Sequence, residues 1–228
     1  GIVGPFPNAV VSGSADATAK PSLTAKIADN CLGLLAMPTM GQATLALKKG
    51  PAYIYKPTVL EGAAIDVSPA TGDSVKVTIL GGSSKGKVTV TNPGSSSSFY
   101  IYDLVNEKEG DVTITGIKDG FISKVTNKGT FVATDTIGSA VGIINEGTIK
   151  IKGTSDINLV ITSNTGTIEF DDNVKGTLSV PKDQMSGIEA PAGVTVTETD
   201  ALGDSSASTA ALASGVVAMA LVAASLIF

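Results

Sequence analysis

The sequence predicts a mainly β chain wound as a β-solenoid, parallel β-helix-like with about 18–19 residues per coil, with an N-terminal capping region and a C-terminal hydrophobic helix. Three observations carry this prediction. From about Asp73 onward, short alternating runs of Val, Ile and Thr are separated by Gly, Asn and Asp, the pattern of strands and turns. One phrase recurs at nearly even intervals as Asn127-Lys-Gly-Thr-Phe131, Asn145-Glu-Gly-Thr-Ile149 and Asn164-Thr-Gly-Thr-Ile168, with a looser copy at Asn106-Glu-Lys-Glu-Gly-Asp-Val112. Two separate strands keep the same step, which hairpins drifting in length would not do.

Residues 1–72 read as the capping region. Residues 21–37 show helical spacing at Leu23, Ile27, Leu32 and Leu35; Gly and Pro breaks follow, and residues 52–55 suit a strand. A cap is the natural role, because a bare terminal coil offers unpaired strand edges to other chains. The single cysteine, Cys31, cannot form an internal disulfide and, in its apolar run, reads as a buried, inert thiol. The sequence starts at Gly1 and not at Met, from which removal of a leader is expected.

Residues 73–200 form the predicted solenoid. Gly110, Gly129, Gly147 and Gly166 recur at the same nearly even step as the phrase that contains them. The strand after each glycine sets apolar residues two apart, as in Val112/Ile114, Phe131/Ala133, Ile149/Ile151 and Ile168/Phe170, so each pair shares one face. A second strand repeats with Val141/Ile143, Leu159/Ile161 and Leu178/Val180, and Val125 holds the matching place one copy earlier. A unit this short cannot bury its own apolar face, but copies stacked about 4.8 Å apart build a continuous core. Asn and Gly tolerate the backbone of tight corners, and stacked Asn side chains can bond along the axis, the role expected of Asn106, Asn127, Asn145 and Asn164. Looser coils are expected at Val75–Leu80, 87–92 and 99–105, and residues 181–191 are expected to close the stack.

Residues 201–209 are a Ser-rich stalk, and residues 210–228 form an apolar run without a charge. As a helix this run spans about 28 Å, close to a hydrocarbon core. Small residues, a short spacer and an apolar end resemble a lipid-anchor signal of the glycosylphosphatidylinositol type, with Asp204, Ser205 and Ser206 as attachment candidates. The rival readings are a retained membrane helix packed through Ala213, Ser214, Gly215, Ala218 and Ala220, and a buried helix of a soluble core.

Composition excludes several function classes. The chain has no His, no Trp and no Arg, so the usual acid and base near neutrality and the guanidinium fork for carboxylates or phosphates are missing. A net charge of −5 gives no footprint for nucleic acid. The acidic group Glu169, Asp171 and Asp172 reads as a solvated turn, because paired glycosidase carboxylates must flank a sugar and a calcium loop needs denser ligands. The outward column Thr130, Thr148 and Thr167 reads as ordinary β propensity and not as an ice-binding face. The 83–87 segment lacks phosphate-loop spacing, and the sequence holds no Asn-X-Ser/Thr acceptor. No catalytic residue, metal or cofactor is expected.

Charge is uneven: residues 1–100 carry eight Lys against five acids, and residues 101–228 eight Lys against sixteen. Opposite signs at the two ends favour head-to-tail contact in a fibre or surface layer, screened by salt. The expected function is a non-enzymatic structural or adhesive protein, tethered to a membrane through residues 210–228 on the extracellular or organelle-lumenal side, with protein partners that are copies of itself or a membrane complex. The alternatives are a linker subunit of a larger membrane complex with the last helix embedded, and a carbohydrate-active β-helix enzyme.

Overall fold

A computed structural model describes residues 10–13, 22–27, 33–36, 40–47, 50–69, 75–91 and 98–199. They are mainly strands and include a parallel β-solenoid of about six turns; Val10–Gly13 pairs antiparallel with Ser22–Ile27. Each complete coil has a front strand, a two-residue side strand and a back strand, as in Asp119–Ser123, Thr126–Asn127 and Thr130–Thr134. The next coil repeats the order within Ile137–Asn145, which runs through front and side, and Thr148–Lys152 at the back.

Register fixes the period. Along the front sheet Lys76, Ser98 and Asp119 stand over one another at wide intervals of sequence. From Gly120 the column runs through Gly138, Ile157, Gly176 and Val194 at the shorter, nearly even interval of the repeated phrase. Part of the longer step lies at the side-to-back corner. The chain from Asn106 to Asp111 is longer than that between their partners one coil on, Asn127 and Thr130.

The predicted inward columns of the back sheet are in register: Val112, Phe131, Ile149 and Ile168 form one, and Ile114, Ala133, Ile151 and Phe170 the other. All but Phe170 are buried, and Phe170 packs against the core while partly exposed. Burying each large aliphatic side chain stabilises the stack by about 1.5–3 kcal/mol before the entropy of ordering is charged against it. The second column needs one correction. Ala140, not Val141, faces inward and pairs with Leu159, which pairs with Leu178. The cause is Gly142 at φ 70, which shifts the register between Val141 and Ile143 and turns Val141 outward. Val125 and Ile143 hold buried corner positions as expected.

Coils also begin before residue 73. Gly50–Tyr55 pairs in parallel with Val75–Leu80, and Thr58–Pro69 with both Ser83–Ser84 and Lys87–Thr91. The helical spacing at 21–37 is not expressed in the described residues 22–27 and 33–36, which are strands paired with Met40–Leu47 and Gly50–Tyr55. Leu23 and Ile27 fit a helix, but Leu23, Ala25 and Ile27 fit strand alternation equally well, and sheet pairing decides between them. Of the expected capping region, residues 1–9, 14–21, 28–32, 37–39, 48–49 and 70–72 lie outside the described residues. Cys31 and residues 201–228, with Asp204, Ser205 and Ser206, lie wholly outside them.

At the far end the 3-10 turn Lys182–Gln184 replaces a side strand, and Met185 and Ile188 pack on the last coil before Val194–Thr199 returns to the front sheet. Among the described residues no helix is long and apolar enough to cross a membrane.

Candidate functional site: the asparagine ladder and the outer faces

The Asn-x-Gly phrase places an amide side chain at each side-to-back corner. Asn106, Asn127 and Asn145 are fully buried. Asn106 Nδ2 donates to Asn127 Oδ1 (2.8 Å), Asn127 Nδ2 to Asn145 Oδ1 (2.9 Å) and Asn145 Nδ2 to Asn164 Oδ1 (2.8 Å). Each Nδ2 also donates to a carbonyl one coil on, those of Thr130, Thr148 and Thr167 (2.9, 3.1 and 3.2 Å). Both amide hydrogens are thus used, which is why the buried carboxamide is tolerated. At the start of the ladder Asn106 Oδ1 has no partner, because Ser84 stands below it in register and its hydroxyl donates to the Gly86 carbonyl instead. At the other end the Asn164 N–H donates to Gln184 Oε1.

The glycines line up beside the asparagines. A Cβ on Gly129, Gly147 or Gly166 would collide with the carbonyl oxygen of the glycine one coil below, Gly110, Gly129 or Gly147. Those carbonyls accept from Thr130, Thr148 and Thr167 N–H (2.9, 2.8 and 2.8 Å). Gly is therefore required by close backbone approach, not by an unusual φ.

The back-to-front corner uses a second device that the repeat did not reveal. Asp135, at φ 50, accepts from Thr154 N–H (2.9 Å) and Thr154 Oγ1 (3.1 Å) through Oδ1, and Asp171 Oδ2 accepts from Gly153 N–H (3.0 Å) one coil on. The bond from the Thr154 backbone, then that from its hydroxyl, hold the Asp135 carboxyl below the usual carboxylate range. Beneath this corner the buried Ser155 hydroxyl accepts from Thr136 N–H and donates to the Lys152 carbonyl.

The acidic group is dispersed. Glu169 pairs with Lys150 (2.9 Å) on the back face, Asp171 is bound at the corner, and no cluster of three or more acidic or cysteine ligands occurs among the described residues. Thr130, Thr148 and Thr167 form one outward column beside that ion pair. Inside the solenoid, where Ala133, Ala140, Gly120 and Gly138 meet Phe99 and Phe131, a cavity of about 30 Å³ remains, large enough for a water but with an almost wholly apolar lining that gives a water no partners.

The front face carries what sequence reasoning missed. Tyr100 and Tyr102 point outward from Ser98–Tyr102, beside Phe121 on the next coil and Leu80 on the previous one. The Tyr100 hydroxyl bonds Asp119 Oδ2 (3.3 Å), and the Lys124 ammonium lies 5.3 Å from the Tyr102 ring centre. Burial, then the Asp119 charge, pushes the Tyr100 phenol above its usual range. Comparison with family models, with curated proteins and with solved structures gives no match for this chain.

Proposed function

We propose that the chain is a non-catalytic structural or adhesive rod, tethered to a membrane by residues 210–228 and displayed on the non-cytoplasmic side. The observation that carries this reading is the run of three consecutive Asn–Asn bonds through four coils. A stack whose backbone, apolar core and buried amides all repeat along one axis suits bearing and spacing, because each coil is held mainly by its two neighbours. The reading is supported by Glu169 and Asp171, which bind Lys150 and the Gly153 N–H of the neighbouring coil. The tether rests on the uncharged tail, long enough for a bilayer.

Intact mass of the native protein, with detergent partitioning, tests the tether. A chain lacking about its last twenty residues and carrying a lipid supports an anchor signal; a full-length chain held in the membrane by other helices supports the linker-subunit reading. A full-length chain that stays in the aqueous phase with no membrane partner would overturn it.

A further inference from the structure

The four tyrosines of the chain share two adjacent columns of the front sheet. Tyr53 is in register with Thr78, Tyr100 and Phe121, and Tyr55 with Leu80, Tyr102 and Ser123. We propose that this aromatic strip binds a neutral glycan chain whose pyranose rings, with equatorial hydroxyls, lay their C–H faces on Tyr100, Tyr102 and Phe121.

Three features choose this occupant. The first is size. The rungs Thr78/Leu80, Tyr100/Tyr102 and Phe121/Ser123 span about 10 Å along the axis and the two columns are about 7 Å apart, so they cover on the order of 100 Å², whereas a stable protein partner takes about 800 Å² from each side. The second is charge. Ions of both signs border the strip, Asp119 and Lys124 each held by one of its tyrosines, Asp103 and Lys56 at the strand ends and Lys76 in register with Ser98, so no single sign dominates the face. With no arginine in the chain, no fork for carboxylate or phosphate is at hand. The third is rigidity with polar interleaving. The strip stands on a hydrogen-bonded sheet, Tyr100 and Tyr102 are fixed by Asp119 and Lys124, and Thr78, Ser123 and Ser139 occupy neighbouring outward positions with hydroxyls suited to sugar hydroxyls. A platform ordered before binding loses little freedom on binding. The site needs neither the tail nor a membrane, so it stands independently of the tether.

Intrinsic fluorescence gives a direct readout, because the chain has no Trp and all four Tyr hold register positions of the strip. The full chain is titrated with β-linked hexasaccharides of glucose and of N-acetylglucosamine, with an α-linked glucose hexasaccharide as comparator. A saturable change with a β-linked chain is expected, weakened about tenfold or more by Tyr102→Ala. Phe121→Ser gives a second variant, since Ser123 and Ser139 show that serine suits outward positions of this sheet; circular dichroism checks that both variants fold. No saturable response to either β-linked probe, or equal affinity in both folded variants, overturns the proposal. A concentration-dependent dimer lost in Tyr102→Ala also overturns it, because the strip would then cover a second copy of the chain.

Discussion

Replacing Asn127 by Ala removes the middle of the ladder, and its cost follows from the bonds it makes. Its side chain accepts once, from Asn106, and donates twice, to Asn145 Oδ1 and the Thr148 carbonyl. At a net contribution near 1 kcal/mol per bond the loss is about 3 kcal/mol. Asn145 Oδ1, in a fully buried residue, is left without a donor, and the carboxamide leaves a gap, which brings the total to about 3–5 kcal/mol. Asn164→Ala at the partly exposed end breaks one bond, that from Asn145 Nδ2, which keeps the Thr167 carbonyl; its cost is about 1 kcal/mol. Urea unfolding of the full chain, followed by circular dichroism with unchanged slope, measures both. An Asn127 variant no less stable than the Asn164 variant would refute the view that the buried amides hold the coils together.

Ser84→Asn should extend the ladder by one rung, giving Asn106 Oδ1 its missing donor; the urea midpoint should rise by the equivalent of about 1 kcal/mol, and no rise would mean the corner 84–87 cannot seat the amide. Gly147→Ala should cost more than about 3 kcal/mol, because its Cβ meets the backbone of Gly129 and not a movable side chain. Gly187→Ala, where nothing lies near, serves as the comparison at about 1 kcal/mol for its positive φ. Asp135→Asn keeps the left-handed backbone and one acceptor but loses the charge. Because the folded pKa is depressed, the wild type's advantage in melting temperature is full above the ordinary carboxylate range and vanishes as pH falls through the folded value; a difference independent of pH would show that the carboxylate charge contributes nothing.

The coils from Asn127 to Asn164 were legible because three restraints act on the same short phrase. The amide must be buried, the glycine must clear the carbonyl below, and the next residue must start a strand, so Asn-x-Gly-Thr recurs at nearly fixed spacing. Nothing local announced the rest. The earlier coils are longer and unequal, as the steps from Pro51 to Lys76 and from Lys76 to Ser98 show, so a search at constant period passes over them. Val141 and Ala140 are indistinguishable by alternation until Gly142 shifts the register. The aromatic strip was hidden for a topological reason: Tyr53 and Tyr100 are far apart in the chain and two rungs apart in space, and only the intervening strand Val75–Leu80 connects them.

The buried amides also give the rod a direction. In Asn106, Asn127 and Asn145 the N–H₂ group faces the following coil and the oxygen faces the preceding one, so their dipoles add and polarise one another as peptide groups do along a helix. One terminus of the column is electronegative, at the bare oxygen of Asn106, and the other is electropositive, at the side-chain nitrogen of Asn164, whose oxygen accepts from Asn145. A block added at the first terminus has to bring a proton donor, and one added at the second a lone pair. Reversing a single amide anywhere between would set two like poles face to face and divide the column in two.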